Sequence, residues 1–208
     1  MKLSAIDPKK TAVLVIDMQN DFIEPGAELF SQMGYDFVPK MAAFLDECRK
    51  RGMLVIYTKN MVQADRHDIG KAGEFCEALK QGKVLIEGTH GVEIFEGVAP
   101  KEGDIVLRKN RYSSFYGTRL DSILRTSGID TVTITGVCTE ACCFSTARDA
   151  GAMCYDVAFL SDLTGTVDYP DLGFGPMTAL QMHHAMLTNI ALTTADVMTS
   201  DDFLSRLK

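Results

Sequence analysis

The sequence predicts an α/β fold, a parallel sheet with helices on both faces, and three features of the chain point to it. Short runs rich in Val, Ile and Thr recur along the whole length, helical patterns separate most of them, and Gly marks many of the joints. Strands and helices that alternate in this way build parallel sheets, because each crossover must return the chain to the same edge before the next strand starts.

In order, the strand-like runs are residues 11–16, 53–58, 104–107, 131–135, 154–160 and 190–194. Residues 37–51 carry apolar side chains at 37, 38, 41, 44, 45 and 48, the spacing of one helix face, and Gly52 stops that helix. A second helix is expected over 119–126, opened by Gly117-Thr118 and closed by Gly128. A third runs from about 140 to 150, before Gly151, and a fourth from 178 to 189. Residues 19–33 and 164–177, with their Gly, Pro, Asp and aromatic content, are loops long enough to border or cover the sheet edge. No repeat or linker interrupts the pattern, so residues 1–208 are expected to form one domain.

Composition narrows the class. Hydrophobic residues make up 46% and charged residues 24%, as in ordinary globular proteins, and no apolar run approaches the ~18 residues of a membrane span. The opening segment lacks the apolar core of a signal peptide, so a cytoplasmic protein is expected. Net charge is −7 and the basic residues are dispersed, which argues against nucleic acid and for a small-molecule substrate. The six cysteines are scattered, with no C-x-x-C pair, and are expected to be reduced thiols.

In an open parallel sheet the working crevice lies beyond the carboxyl ends of the strands. Asp17, Lys109 and the turn holding Cys138 and Cys142 all fall at such ends. Gly136-Val-Cys-Thr-Glu-Ala-Cys142 leads from a strand into a helix and sets Cys142 in its first turn, where free backbone N–H groups favour a thiolate. Asp17 could take the thiol proton, and Lys109 could balance the charge of thiolate and intermediate. The four histidines, at 67, 90, 183 and 184, have no local tie to the turn. Taken singly, Asp17 suits a turn, Lys109 a solvated surface, and Cys48, Cys76, Cys143 and Cys154 the packed interior. The coincidence of three chemical groups at strand ends favours a site.

Val13-Leu-Val-Ile-Asp17-Met-Gln19-Asn-Asp21-Phe22, Lys109-Asn-Arg-Tyr112-Ser-Ser-Phe115 and Gly136-Val-Cys-Thr-Glu-Ala-Cys142 occur in an order and spacing that resemble the isochorismatase-like cysteine hydrolase superfamily. The resemblance implies a three-layer Rossmann-like domain with a six-stranded, mainly parallel sheet. It also implies an Asp17, Lys109 and Cys142 triad, a cis peptide between Val137 and Cys138, and an oxyanion hole from the backbone N–H groups of Cys138 and Cys142. The implied reaction is cysteine-dependent C–N hydrolysis through a thioester, with no cofactor, by a homo-oligomer, dimer or tetramer. The segments around Lys109 and Leu120 are similar to ureidoacrylate amidohydrolases and Met33-Gly-Tyr-Asp36 to biuret hydrolases, which suggests a small carbamoyl or ureido substrate.

Candidate substrate contacts are Phe22, Gln19, Tyr112, Phe115 and Val137; Phe22, Tyr112, Phe115, Tyr116 and Phe174 suit a pocket wall and the core equally. Nicotinamidase-type members carry a metal-binding Asp-x-His after the second strand, a motif missing from that place here. Asp65 and His67 have the spacing alone, and no metal is expected. Other readings are a nicotinamidase-like amidase, a non-amidase member of the superfamily and a catalytically silent scaffold. A metal-dependent phosphohydrolase built on Asp17 and Asp21 lacks its Asp-x-Asp, since Met18 and Gln19 follow Asp17.

Overall fold

The computed structural model describes residues 3–208. Its strands are β1 Thr11–Ile16, β2 Leu54–Asn60, β3 Ile105–Lys109, β4 Thr131–Val137, β5 Asp156–Gly165 and β6 Asp196–Met198. They form a six-stranded sheet in the order β3-β2-β1-β4-β5-β6, with every neighbouring pair parallel. The helices are α1 Asn20–Ile23, α2 Gln32–Asp36, α3 Val38–Lys50, α4 Ala72–Phe75, α5 Glu77–Lys80, α6 Leu120–Thr126, α7 Phe144–Ala152, α8 Ala179–Thr193 and α9 Ser200–Ser205. The expected six-stranded α/β architecture is the one observed.

Every residue of β1 is buried, because both faces of the sheet are covered. Side chains alternate along the strand. Val13 and Val15 join Met41, Phe44 and Leu45 of α3 in one core, while Ala12, Leu14 and Ile16 join Leu120 and Leu124 of α6 and Ala147 and Ala150 of α7 in the other. At about 1.5–3 kcal/mol for each large apolar side chain removed from water, these two layers outweigh any single polar contact in fixing the sheet.

The direction in which successive strands are added to the sheet reverses between β1 and β4, and the carboxyl ends of these two parallel strands form the crevice where such folds place ligands. Ile16 pairs with Gly136 there. Gly136 has φ 111, and a Cβ at this position would lie 2.0 Å from the Ile16 carbonyl oxygen, so only glycine lets the two strands close at the crevice.

Two expectations are corrected. Residues 190–194 are not the sixth strand. Thr178 and Gln181 form a capping box at the start of α8, His183 and Ile190 face the core, and the helix runs through Thr193; the edge strand is β6. The β-branched and apolar content of Ile190-Ala-Leu-Thr-Thr suits either state, and the helix already nucleated upstream decides it. Residues 140–150 are likewise not one α-helix, since Thr139–Cys143 is a π-helical turn that α7 continues. Among the described residues no helix is long and apolar enough to cross a membrane.

Candidate active site

Asp17 follows β1 directly, with φ 53, a left-handed conformation that Asp adopts more readily than most residues. It is fully buried. Thr58, on the adjacent β2, donates its hydroxyl to Asp17 Oδ1 at 2.6 Å and accepts the Asp17 backbone N–H at 3.2 Å. Oδ2 has no aligned hydrogen-bond donor; its close neighbour is the Lys109 ammonium, 2.7 Å away.

Lys109 is the last residue of β3, two strands from β1 in the sheet, and its long side chain crosses the end of β2 to reach Asp17. Its ammonium is buried and meets three groups: Asp17 Oδ2 at 2.7 Å, Cys142 Sγ at 3.2 Å and the Arg111 carbonyl at 3.0 Å. Two of its three N–H donors are hydrogen-bonded, to Cys142 and to the Arg111 carbonyl, and the contact to Asp17 is an ion pair. Burial alone would lower the pKa of Lys109, but the Asp17 charge, aided by the contact with Cys142, outweighs it and raises the pKa.

Cys142 lies in the π-helical turn and is almost fully buried. The Val137–Cys138 peptide leading into the turn is cis. The Cys138 carbonyl accepts the N–H groups of Ala141 and Cys143 at 3.2 and 3.1 Å, passing over that of Cys142. Thr139 ties the turn to α8: its hydroxyl meets His183 Nδ1 at 2.8 Å, and His183 Nε2 meets the Ser161 carbonyl at 2.9 Å. A carbonyl only accepts, so Nε2 carries the proton and Nδ1 accepts from Thr139.

The helix-end thiolate expected from the sequence is not the resting form. Burial raises the Cys142 pKa well above that of a free thiol, the Asp17 charge raises it further, and Lys109 opposes both without overcoming them. The site rests as a neutral thiol beside an Asp–Lys ion pair.

A cavity of ≈ 600 Å³ opens over Cys142, a volume suited to a small molecule. Residues 28–30 and 167–169 of the two long loops line it, as do Phe22, Tyr112 and Cys138.

Residues 11–202 match the isochorismatase domain family. The chain belongs to that family. It is 35% identical over 216 residues to the ureidoacrylate amidohydrolase RutB of Caulobacter vibrioides, covering 95% of this chain and 91% of that one. A cysteine hydrolase from Pseudomonas syringae pv. phaseolicola 1448A superposes with TM-score 0.93 at 35% identity, over 97% of this chain and 93% of that one. N-carbamoylsarcosine amidase from Thermoplasma acidophilum does so with TM-score 0.73 at 28% identity, over 92% and 97%. This isochorismatase-family chain is an enzyme, an amidohydrolase acting on non-peptide C–N bonds.

In this isochorismatase-family site, Asp17, Lys109 and Cys142 come together, and Cys138, Phe22 and Tyr112 lie on the same cavity. Gln19, Phe115 and Val137 are not among the residues that line it. The Gln19 amide is engaged on backbone, accepting Asn60 N–H at 2.7 Å and donating to the carbonyls of Asn60 and Val92 at 3.0 and 3.2 Å. Phe115 packs against Tyr155 in the core, with ring centroids 5.9 Å apart, and the Val137 side chain is wholly buried. Tyr116 and Phe174 are exposed and line no part of the cavity. Asp65 and His67 are exposed and meet one another at 3.4 Å; among the described residues no three His, Cys, Asp or Glu side chains form a metal-holding group.

Sequence reasoning missed Thr58, His183 and the wall formed by Lys71, Phe75, Cys76 and Leu79. That wall is built on α4 and α5, helices of four residues each, too short to show a period. It missed as well the Glu140 carboxylate on the cavity, where Oε1 accepts from the Tyr169 hydroxyl.

Proposed function

We propose that this amidohydrolase cleaves a C–N bond of a small carbamoyl or ureido compound through a thioester on Cys142. One observation carries the reading: a single buried ammonium, Lys109 Nζ, contacts both Asp17 Oδ2 and Cys142 Sγ under a cavity of ligand size. The names of the similar proteins, ureidoacrylate amidohydrolase and N-carbamoylsarcosine amidase, support the substrate class.

The resting thiol sets the order of events. Asp17 Oδ2, the oxygen left free by Thr58, takes the Sγ proton as sulfur attacks the carbonyl carbon. Lys109 stays protonated and stabilises the developing thiolate, as its raised pKa allows. The tetrahedral oxyanion is held by the backbone N–H groups of Cys138 and Cys142, a role supported by the Cys138 carbonyl passing over the Cys142 N–H. The C–N bond then breaks, and Asp17 returns its proton to the leaving nitrogen. Water attacks the thioester, Asp17 takes one of its protons, the C–S bond breaks, and the thiolate recovers that proton.

Ammonia release from a panel of ureido acids, biuret and N-carbamoyl amino acids tests the reading, with mass spectrometry of the quenched enzyme. Wild type is expected to turn over at least one of these and to carry an acyl or carbamoyl adduct on Cys142; Cys142→Ala is expected to lose both. Turnover by Cys142→Ala at the wild-type rate would refute the mechanism.

A further inference from the structure

Five charged side chains line the cavity above Cys142: two sit in ion pairs, two are carboxylates hydrogen-bonded to neutral groups, and the fifth is Arg111. Lys71 pairs with Glu74 at 2.9 Å and Glu28 with Lys83 at 3.7 Å. Asp168 caps the backbone N–H of Ala179 at 2.7 Å, and Glu140 accepts from Tyr169 through one oxygen while Oε2 stays unpartnered. Arg111 forms no ion pair among the described residues. The carboxylate beside it is already engaged: Asp68 meets Arg108 at 2.9 Å, Asn110 Nδ2 at 3.0 Å and the Gln63 N–H at 2.7 Å. Asp68 offers Arg111 only its backbone carbonyl.

The guanidinium is nevertheless held in place. Arg111 Nη1 donates to the carbonyls of Asp68 and Asn110 at 3.1 and 2.6 Å. Gly70, with φ +57, passes so close that a Cβ there would lie 2.6 Å from Nη2. The Arg111 backbone carbonyl accepts from Lys109 at 3.0 Å, so the guanidinium is fixed relative to the thiol as well. A positioned guanidinium without a counter-charge, on the wall of a cavity that holds a nucleophile, is an anion subsite.

We propose that Arg111 is the specificity-determining residue that binds a carboxylate on the substrate, which makes the substrate a ureido or N-carbamoyl acid. This rests on the amidohydrolase reading above and deepens it. With Nη1 engaged on the two carbonyls, the Nε and Nη2 edge leaves two parallel N–H donors for a carboxylate, a match that a neutral urea or amide cannot use in full. The free oxygen of Glu140 complements it, as an acceptor for the N–H groups of the ureido end.

The test compares 3-ureidopropionate and N-carbamoylglycine with N-butylurea and biuret, in wild type, Arg111→Gln and Arg111→Lys, with kcat and KM taken from ammonia release. Wild type is expected to prefer the acids. Arg111→Gln, which keeps an amide donor for the backbone carbonyls, is expected to lower that preference roughly tenfold to a hundredfold, mainly through KM, and Arg111→Lys to restore part of it. A wild type that cleaves only the neutral compounds, or a preference that Arg111→Gln leaves intact, overturns the role of Arg111 while the amidohydrolase reading stands. A wild type that cleaves no carbamoyl compound brings down both.

Discussion

Thr58 donates its hydroxyl to Asp17 Oδ1 at 2.6 Å, and this one bond distinguishes the two oxygens of the buried carboxylate. Oδ1 is occupied, whereas Oδ2 faces the Lys109 ammonium with no aligned donor. The carboxylate is thereby aimed by the neighbouring strand, since Thr58 lies on β2, paired in register with Ile16.

Thr58→Val removes that hydroxyl at nearly constant volume. The carboxylate then rotates more freely about its last bond, and kcat is expected to fall roughly tenfold to a hundredfold with little change in KM, as for a lost positioning hydrogen bond. Steady-state kinetics on any accepted ureido substrate checks this, and an unchanged kcat would show that Thr58 does not aim the carboxylate.

Asp17→Asn should separate thiol reactivity from turnover. Burial and the Asp17 charge both hold the proton on Cys142, and Lys109 pulls the other way. Without the Asp17 charge, Lys109 acts against burial alone, so the thiol pKa falls and more thiolate is present at neutral pH. Iodoacetamide should alkylate the Cys142 peptide faster in the variant than in wild type at pH 7. Turnover should drop by about a hundredfold to ten-thousandfold, because no group carries the proton to the leaving nitrogen. Slower alkylation in Asp17→Asn would mean that the carboxylate activates the thiol in its resting state.

The sheet and the placement of Asp17, Lys109 and Cys142 at its crevice edge were legible in the sequence because both depend on local pattern. Val13-Leu-Val-Ile16 reads as a strand whatever surrounds it, and a residue directly after a parallel strand goes to the crevice by topology. Helix α8 was cut short because Ile190 to Thr194 fit either state, and its upstream cap settled the matter. The Gln19 amide turns onto backbone and Phe115 packs against Tyr155, orientations that sequence order alone does not tell from a crevice-facing side chain. Thr58 and His183 act through partners 41 and 44 residues away, contacts that no local spacing displays.

Lys109→Met leaves Asp17 buried without its counter-charge. Breaking one side of a buried pair typically costs about 3–5 kcal/mol, so the single variant should be strongly destabilised in urea or thermal melts. Combining it with Asp17→Asn removes the orphaned charge, and the double variant should be more stable than Lys109→Met alone. If the two losses simply add, the ion pair is not what holds this end of the sheet together.

His183 couples the turn to pH. Burial lowers its pKa, with the Ser161 carbonyl pulling the other way, and the ring can take a second proton only by giving up the Thr139 hydroxyl at Nδ1. The unfolded chain binds that proton near the ordinary His pKa of about 6.5, whereas the folded chain binds it only at lower pH. The contribution of the neutral ring to stability is therefore present above about pH 6.5 and is lost as pH falls from there toward the folded pKa. Urea melts between pH 7.5 and 5 should show stability declining on the acid side. In His183→Gln, whose amide can accept from Thr139 and donate to Ser161 without titrating, that decline should be shallower. Because the same bond anchors the Cys142 turn, wild-type kcat should fall over this pH range in part through His183, and the variant should keep more of its own neutral-pH rate at pH 5.5. Equal acid slopes in the two proteins, for both stability and relative rate, would remove His183 from the account.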